Sequence, residues 1–139
     1  MEYIDICYVV TPFLAWFIAG VAKFTINSIR SRCLAFDQIG YGGCPSNHSS
    51  IVASCVGIVF LKEGLDSPAL VVSLSLAFIV ILDANSLRLK VGQHATVINK
   101  LTGDCDKKLR ERIGHSKVEI FFGVLTGFAT ALLVNFIFH

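Results

Sequence analysis

Two short polar stretches of this sequence carry histidines next to glycines, serines and charged residues. The first, at residues 42–50, reads GGCPSNHSS, and the second, at residues 114–119, reads GHSKVE. Glycine lets a backbone turn approach a ligand closely, and the free N–H groups of a helix that follows such a turn attract an anion. Histidine is the side chain whose ordinary pKa lies closest to neutral pH. Together these features indicate an anion-binding site with proton-transfer or nucleophilic chemistry.

The first stretch has the features of a turn that opens a helix. Proline is tolerated at the first helical position, so Pro45 can start a helix that Ser46 and Asn47 cap. His48 can then exchange a proton with whatever the turn binds. The alternative is a polar turn between two helices that carries a histidine by chance.

The second stretch pairs a histidine with a carboxylate. His115 and Glu119 are four residues apart and share one face if the segment is helical. A carboxylate that accepts a hydrogen bond from one imidazole nitrogen makes the other nitrogen a better nucleophile. Two histidines can then divide the work, with His115 attacking and His48 protonating the leaving oxygen. The alternative is that His115 and Glu119 only cap a helix.

The composition decides what kind of scaffold must position these groups. Of the 139 residues, 54% are hydrophobic and 16% are charged, whereas a soluble domain carries about 25% charged residues. The mean hydropathy is +0.68. We therefore predict an integral membrane protein that forms a single domain over residues 1–139. The net charge of +2 does not favour a nucleic-acid partner, and five cysteines without a CxxC pair indicate neither a disulfide framework nor a zinc site. No metal or other cofactor is expected.

Apolar runs predict an all-α bundle of about four transmembrane helices. The runs cover residues 4–28, 49–61, 69–82 and 118–138, the second helix beginning at the turn of residues 45–46. Between the third and fourth runs, residues 87–117 predict a basic segment with two short amphipathic helices, at 92–101 and 107–113. Gly123 and Gly127 have a spacing that lets membrane helices approach closely, either inside the bundle or in a homodimer.

The basic residues orient this bundle. Ten of the twelve lysines and arginines lie within residues 30–32 and 88–117, which fall on the same side of the membrane if there are four spans. The positive-inside rule places that side in the cytoplasm and both termini outside.

This topology brings four separate pieces to the cytoplasmic face. They are Lys23, residues 43–48, residues 83–88 and residues 115–119. A lysine in an apolar span is costly unless it reaches the headgroups or meets an anion, and arginine binds phosphate in a bidentate manner. We predict a phosphate site made by Lys23, Arg88 and the backbone from Gly43 to Ser46.

Three motifs carry a resemblance to a known family. They are GGCPSNHSS at 42–50, DANSLR at 83–88 with VGQHATVINKL at 91–101, and GHSKVEIFFG at 114–123. In these motifs the chain resembles the divergent branch of the type 2 phosphatidic acid phosphatase family, which is related to vanadium-dependent haloperoxidases. In the parent family a lysine, a PSGH motif, an arginine and an HxxxD motif build a metal-independent phosphate site.

The resemblance implies a role for each matching residue. Lys23 resembles the family lysine, Ser46 and His48 resemble the serine and histidine of PSGH, and His115 resembles the nucleophilic histidine that forms a phosphohistidine. Glu119 takes the place of the aspartate. Arg88 is our choice for the arginine, although Arg110 lies nearer to His115 in sequence. Asp83 and Asn47 are expected to support the site, Asn47 standing where the family has glycine.

The function implied is hydrolysis of a lipid-linked phosphate or diphosphate, polyprenyl or glycerolipid, by an integral protein of a bacterial inner (cytoplasmic) membrane. The active site is expected at the cytoplasmic face. The alternative is a non-catalytic membrane protein whose basic segment, residues 88–117, binds anionic lipid headgroups or a partner protein.

Overall fold

A computed structural model describes residues 5–32, 34, 43–103, 108–111 and 113–138, and this part of the chain is helical without strands. The helices are α1 (Ile6–Ser31), α2 (Asn47–Glu63), α3 (Pro68–Asn85), α4 (Leu87–Thr102) and α5 (Lys117–Ile137). The predicted all-α membrane bundle is confirmed.

Side-chain caps fix where four of the helices begin. Asp5, Ser46, Ser67 and Ser116 each accept a hydrogen bond from a backbone N–H in the first turn of α1, α2, α3 and α5 respectively. Such caps satisfy N–H groups that have no partner within the helix. Pro45 was expected inside the first turn of α2, but it precedes the cap, and Asn47 is the first helical residue.

Within the described residues, three helical segments are long and apolar enough to cross a membrane: α1, the segment from α3 into α4, and α5. At 17 residues α2 is shorter, yet it contacts α1, α3 and α5. Its start lies beside α1, where Asn47 approaches Gly20, and at its far end Lys62 Nζ lies 2.9 Å from Asp5 Oδ2. Helix α2 therefore runs alongside α1. Because it is not among the segments long and apolar enough to cross a membrane, a fourth span at α2 stays a prediction.

Glycines allow α2 and α5 to pack in direct contact. A Cβ atom on Gly127 would lie 2.3 Å from the carbonyl oxygen of Ser50, and one on Gly57 would lie 2.8 Å from the Cβ atom of Ala131. Gly123 is used in the same way against Ser46. The small-residue face of α5 is therefore occupied inside the chain, and a homodimer through Gly123 and Gly127 is not shown.

The segment after α4 differs from the prediction. Residues 108–111 and 113 are not helical, whereas the sequence predicted a helix over 107–113; residues 104–107 and 112 lie outside the described part. The Asn99 side chain donates to the carbonyl oxygen of Leu109 and accepts from its N–H, both at 2.8 Å. A Cβ atom on Gly92 would lie 2.3 Å from the carbonyl oxygen of Glu111. The backbone groups of Leu109, which a helix would pair internally, are therefore bound by α4 instead.

Candidate active site

The turn that precedes α2 is attached directly to α5. The backbone N–H of Ser46 donates to the carbonyl oxygen of Glu119 at 2.9 Å. A Cβ atom on Gly123 would lie 2.5 Å from the Ser46 carbonyl oxygen, so only glycine permits this approach. The two histidine-bearing stretches of the sequence therefore meet at one place.

A second backbone contact fixes His115. Its N–H donates to the carbonyl oxygen of Ala84, near the end of α3, at 3.2 Å. A Cβ atom on the preceding residue, Gly114, would lie 2.8 Å from the Cα atom of Leu89 in α4. His115 thus lies where α3, α4 and the start of α5 come together.

The His115 ring is buried and unpaired. The residue is 6% exposed, and neither ring nitrogen has a hydrogen-bond partner among the described residues. Burial lowers the pKa of His115 to about 4, and the positive charge of Lys23 acts in the same direction, while Glu119 opposes it. The ring is therefore neutral at pH 7 and keeps a nitrogen lone pair available for attack.

His48 lies opposite His115, at the start of α2. The two ring centroids are 6.4 Å apart, and the ring planes meet at 71°. Arg88 Nη1 lies 3.1 Å from Nε2 and 3.3 Å from Nδ1 of the exposed His48 ring. Because Nη1 lies almost equally far from both ring nitrogens, either neutral tautomer of His48 can accept a hydrogen bond from it.

Asp83 holds Arg88 from the other side. Its Oδ2 atom lies 2.5 Å from Arg88 Nε. This pairing joins the end of α3 to the first turn of α4 and leaves the Nη groups of Arg88 directed at His48. Arg110, the other candidate arginine, is exposed. Its charge acts on Lys23.

Lys23 completes the cationic side of the site. Its Cγ atom lies 3.8 Å from the position that a Cβ atom on Gly43 would take, and its charge acts on both His115 and His48. Gly43 is buried with a φ of 154°, which side chains rarely adopt. The Asn27 amide lies 3.7 Å from the same Cβ position. Asn27 was not predicted, although its place four residues after Lys23 puts both on one helix face.

Ser46, one of the predicted site residues, uses its polar groups within the protein. The Ser46 N–H is taken by the Glu119 carbonyl oxygen, and the Ser46 hydroxyl accepts from the N–H of Ser49 at 3.4 Å and from its hydroxyl at 3.0 Å. Ser46 is fully buried. Ser46 therefore shapes the turn, and its backbone N–H is already bound and does not offer a donor to a phosphate.

The carboxylate of Glu119 caps α5. Oε2 accepts from the N–H of Ser116 at 2.8 Å, and the N–H of Glu119 donates to the Ser116 hydroxyl at 3.2 Å. Since His115 precedes the cap residue Ser116, it is outside the helix and the four-residue spacing does not place it on the face of Glu119. The expected hydrogen bond between Glu119 and His115 is absent in this structure. The sequence signal for the observed arrangement was the S-x-x-E pattern at residues 116–119.

Asn47 adds a second unpaired polar group. Its Oδ1 atom is buried and has no hydrogen-bond partner in the part of the chain that the structure describes. Buried polar groups without partners are uncommon and often face a ligand or a bound water. Among the described residues, no group of three or more His, Cys, Asp and Glu side chains is placed to hold a metal ion.

Comparison with known proteins identifies the family of the chain. The family model described as "Divergent PAP2 family" matches residues 5–130, which include every candidate site residue named above. An uncharacterized membrane protein of Bacillus subtilis (strain 168), YuiD, is 37% identical over 139 residues, an alignment that covers 86% of this chain and 88% of the relative. No solved structure matches the chain.

Proposed function

Because the chain belongs to the divergent PAP2 family, we propose that it is a metal-independent membrane phosphatase. It hydrolyses a lipid-linked phosphate or diphosphate through a phosphohistidine intermediate. The substrate is a polyprenyl or glycerolipid phosphate, whose apolar chain remains in the bilayer while its phosphate enters the site. Residues 30–32 and 88–117, which include ten of the twelve lysines and arginines, are proposed to face the cytoplasm of a bacterial inner membrane.

The buried, unpaired ring of His115 opposite His48 is the observation that carries this proposal. A reacting nitrogen stands about 3–3.5 Å from phosphorus before attack, and a proton donor stands about 2.6–3.2 Å from the leaving oxygen. The P–O bond and the ring radii add to these distances in an in-line arrangement, so the groups need more room than the 6.4 Å between the ring centroids. Because the His48 ring is exposed, it can turn away from His115 to admit one phosphoryl group.

The reaction needs two displacements at phosphorus. In the first, the lone pair of a His115 nitrogen forms the P–N bond, the P–O ester bond breaks, and His48 gives its proton to the leaving oxygen. In the second, His48 takes a proton from water, the resulting hydroxide attacks phosphorus, and the P–N bond breaks to release inorganic phosphate. Lys23 and Arg88 neutralise the negative charge on the phosphoryl oxygens in both steps.

Binding of the phosphate supplies the proton state that this mechanism needs. Without substrate, Arg88 Nη1 contacts both nitrogens of the His48 ring. A phosphate dianion bound between them draws the Arg88 guanidinium to itself and stabilises a proton on His48 through its negative charge. The general acid is thus charged when the substrate is present.

The decisive experiment measures release of inorganic phosphate by the purified protein in detergent. A panel of polyprenyl and glycerolipid monophosphates and diphosphates serves as substrates, together with an aryl phosphate. The wild type is expected to release phosphate from at least one lipid, and His115→Ala is expected to abolish release. His94→Ala, which changes an exposed histidine of α4, is the matched control and should retain activity. Absence of release from the whole panel, or full activity of His115→Ala, would favour the non-catalytic alternative.

A further inference from the structure

Helix α4 has one face fixed against the protein. Gly92 and Ala95 are buried on this face, and Gly92 lies directly against the backbone of Glu111. On the same face, the Asn99 amide binds the backbone of Leu109 and donates to Glu111 Oε1 at 2.8 Å. These contacts determine which sides of α4 point away from the protein.

A second face of α4 carries an exposed apolar stripe. Its members are spaced alternately four and three residues apart, so that they lie in one row along the helix. The stripe consists of Leu87, Val91, Ile98 and Leu101, with His94 at its centre. The residues at its two ends are the most exposed, Leu87 at 63% and Leu101 at 81%.

The stripe begins where a membrane span ends. Helix α3 has 18 residues, which at 1.5 Å per residue gives about 27 Å, close to the thickness of about 30 Å of a hydrocarbon core. The first residue of α4 therefore lies at the membrane surface. At the junction, Ser86 has φ −117° and ψ −76°, which departs from regular helical geometry.

The surroundings of the stripe are basic. Lys90 and Lys100 are exposed on α4, and Lys108 and Arg110 are exposed on the segment bound along it. A helix with an apolar stripe and a basic polar side binds the boundary between headgroups and acyl chains, most strongly in anionic membranes. A second copy of the chain is a poorer fit, because the row extends over only about two heptads and paired helices need three to four.

We propose that α4 lies in the plane of an anionic membrane surface, with Leu87, Val91, Ile98 and Leu101 inserted among the upper acyl chains. Its lysines contact the anionic headgroups. Because Arg88 follows Leu87 directly and contacts His48, the membrane holds in place the turn that presents Arg88 to the candidate site. This contact surface does not depend on the chain being a phosphatase.

Tryptophan fluorescence with brominated lipids tests the proposal without any measurement of activity. The only native tryptophan is removed by Trp16→Phe, and Ile98→Trp is then compared with Gln93→Trp, an exposed position about 140° around the helix from Ile98. The vesicles contain phosphatidylglycerol and phosphatidylcholine that is brominated near the top of its acyl chains. We expect the bromines to quench the tryptophan at position 98 at least threefold more than the one at position 93, and aqueous acrylamide to show the reverse order.

A second tryptophan probe and a variant without the two lysines of α4 complete the test. Leu101→Trp is a second probe of the stripe and is used if Ile98→Trp loses helical circular dichroism. In a Lys90→Gln and Lys100→Gln variant, quenching at position 98 should depend less on the fraction of phosphatidylglycerol, because only Lys108 and Arg110 of the four basic residues remain. Equal acrylamide quenching at positions 98 and 93 would overturn the proposal. Shielding of position 98 from both quenchers, together with crosslinked dimers, would also overturn it, because a second copy would then cover the stripe.

Discussion

The backbone N–H of Ser46 donates to the carbonyl oxygen of Glu119 at 2.9 Å, and this one bond joins the two histidine-bearing stretches. Because the bond forms between main-chain atoms, it depends on how closely the turn can approach α5. The absence of a side chain at Gly123 permits that approach. The relative position of His48 and His115 therefore depends on Gly123, a residue that has no functional side chain.

Gly123→Ala should damage both the packing and the site. The new Cβ atom would lie 2.5 Å from the Ser46 carbonyl oxygen, and overpacking of this kind costs about 1–3 kcal/mol. Gly20→Ala is the matched control, because its Cβ atom would meet nothing closer than 3.8 Å and alanine favours a helix by about 1 kcal/mol. Thermal unfolding in detergent should show a lower melting temperature for Gly123→Ala only. Equal stability of the two variants would contradict the described contact.

The pKa of His115 predicts how stability changes with pH. The folded protein holds this pKa at about 4, below the ordinary value of 6.5, so the unfolded chain binds more protons between these two values. The resulting stability is fully present above about pH 6.5 and is lost as the pH falls toward 4. Between pH 7 and pH 5 the loss attributable to His115 is about 2 kcal/mol. His115→Asn should remove this part of the acid sensitivity in melting curves, and an unchanged pH dependence would refute it.

The positions of the apolar helices could be predicted from the sequence, whereas two local contacts could not. The long apolar runs predicted α1, α3 and α5 to within a few residues, because membrane spans are set by local hydrophobicity. Helix α5 begins after the Ser116 cap, so His115 lies outside it, and the helical spacing that was to pair His115 with Glu119 does not apply. The predicted helix is not formed at residues 108–111 and 113. Asn99 binds the backbone of Leu109, 10 residues further along the chain, and helical periodicity does not report such a contact.

Substitutions at Glu119 should separate capping from catalysis. Glutamine also completes a capping box, so Glu119→Gln should melt close to the wild type, whereas Glu119→Ala should lose about 1 kcal/mol. Because the Glu119 charge raises the pKa of His115, its loss should reduce the basicity of His115 and lower kcat moderately in both variants. Complete loss of turnover in a fully stable Glu119→Gln would mean that the carboxylate binds His115 in the substrate complex.

The proposed division of labour between the histidines predicts a selective rescue. Positioned acid–base groups contribute about 10²–10⁴-fold, and kcat for a lipid phosphate should fall within this range in His48→Ala. An aryl phosphate has a leaving group that needs little protonation, so it should restore much of the activity of His48→Ala and none of that of His115→Ala. Rescue of His115→Ala instead would mean that the two roles are reversed.

The two candidate arginines are distinguished by paired conservative substitutions. Arg88 is held by Asp83 at 2.5 Å and contacts His48 at 3.1 Å, whereas Arg110 is exposed. Lysine keeps the charge but loses the planar fork that binds phosphate in a bidentate manner, and hydrogen bonds to charged groups contribute about 1.5–3 kcal/mol. Arg88→Lys should therefore lower kcat/KM by roughly 10–100-fold, while Arg110→Lys should stay within about threefold of the wild type. Asp83→Asn should also lower kcat/KM, because it frees Arg88 without changing its charge. A larger effect of Arg110→Lys than of Arg88→Lys would transfer the phosphate-binding role to Arg110.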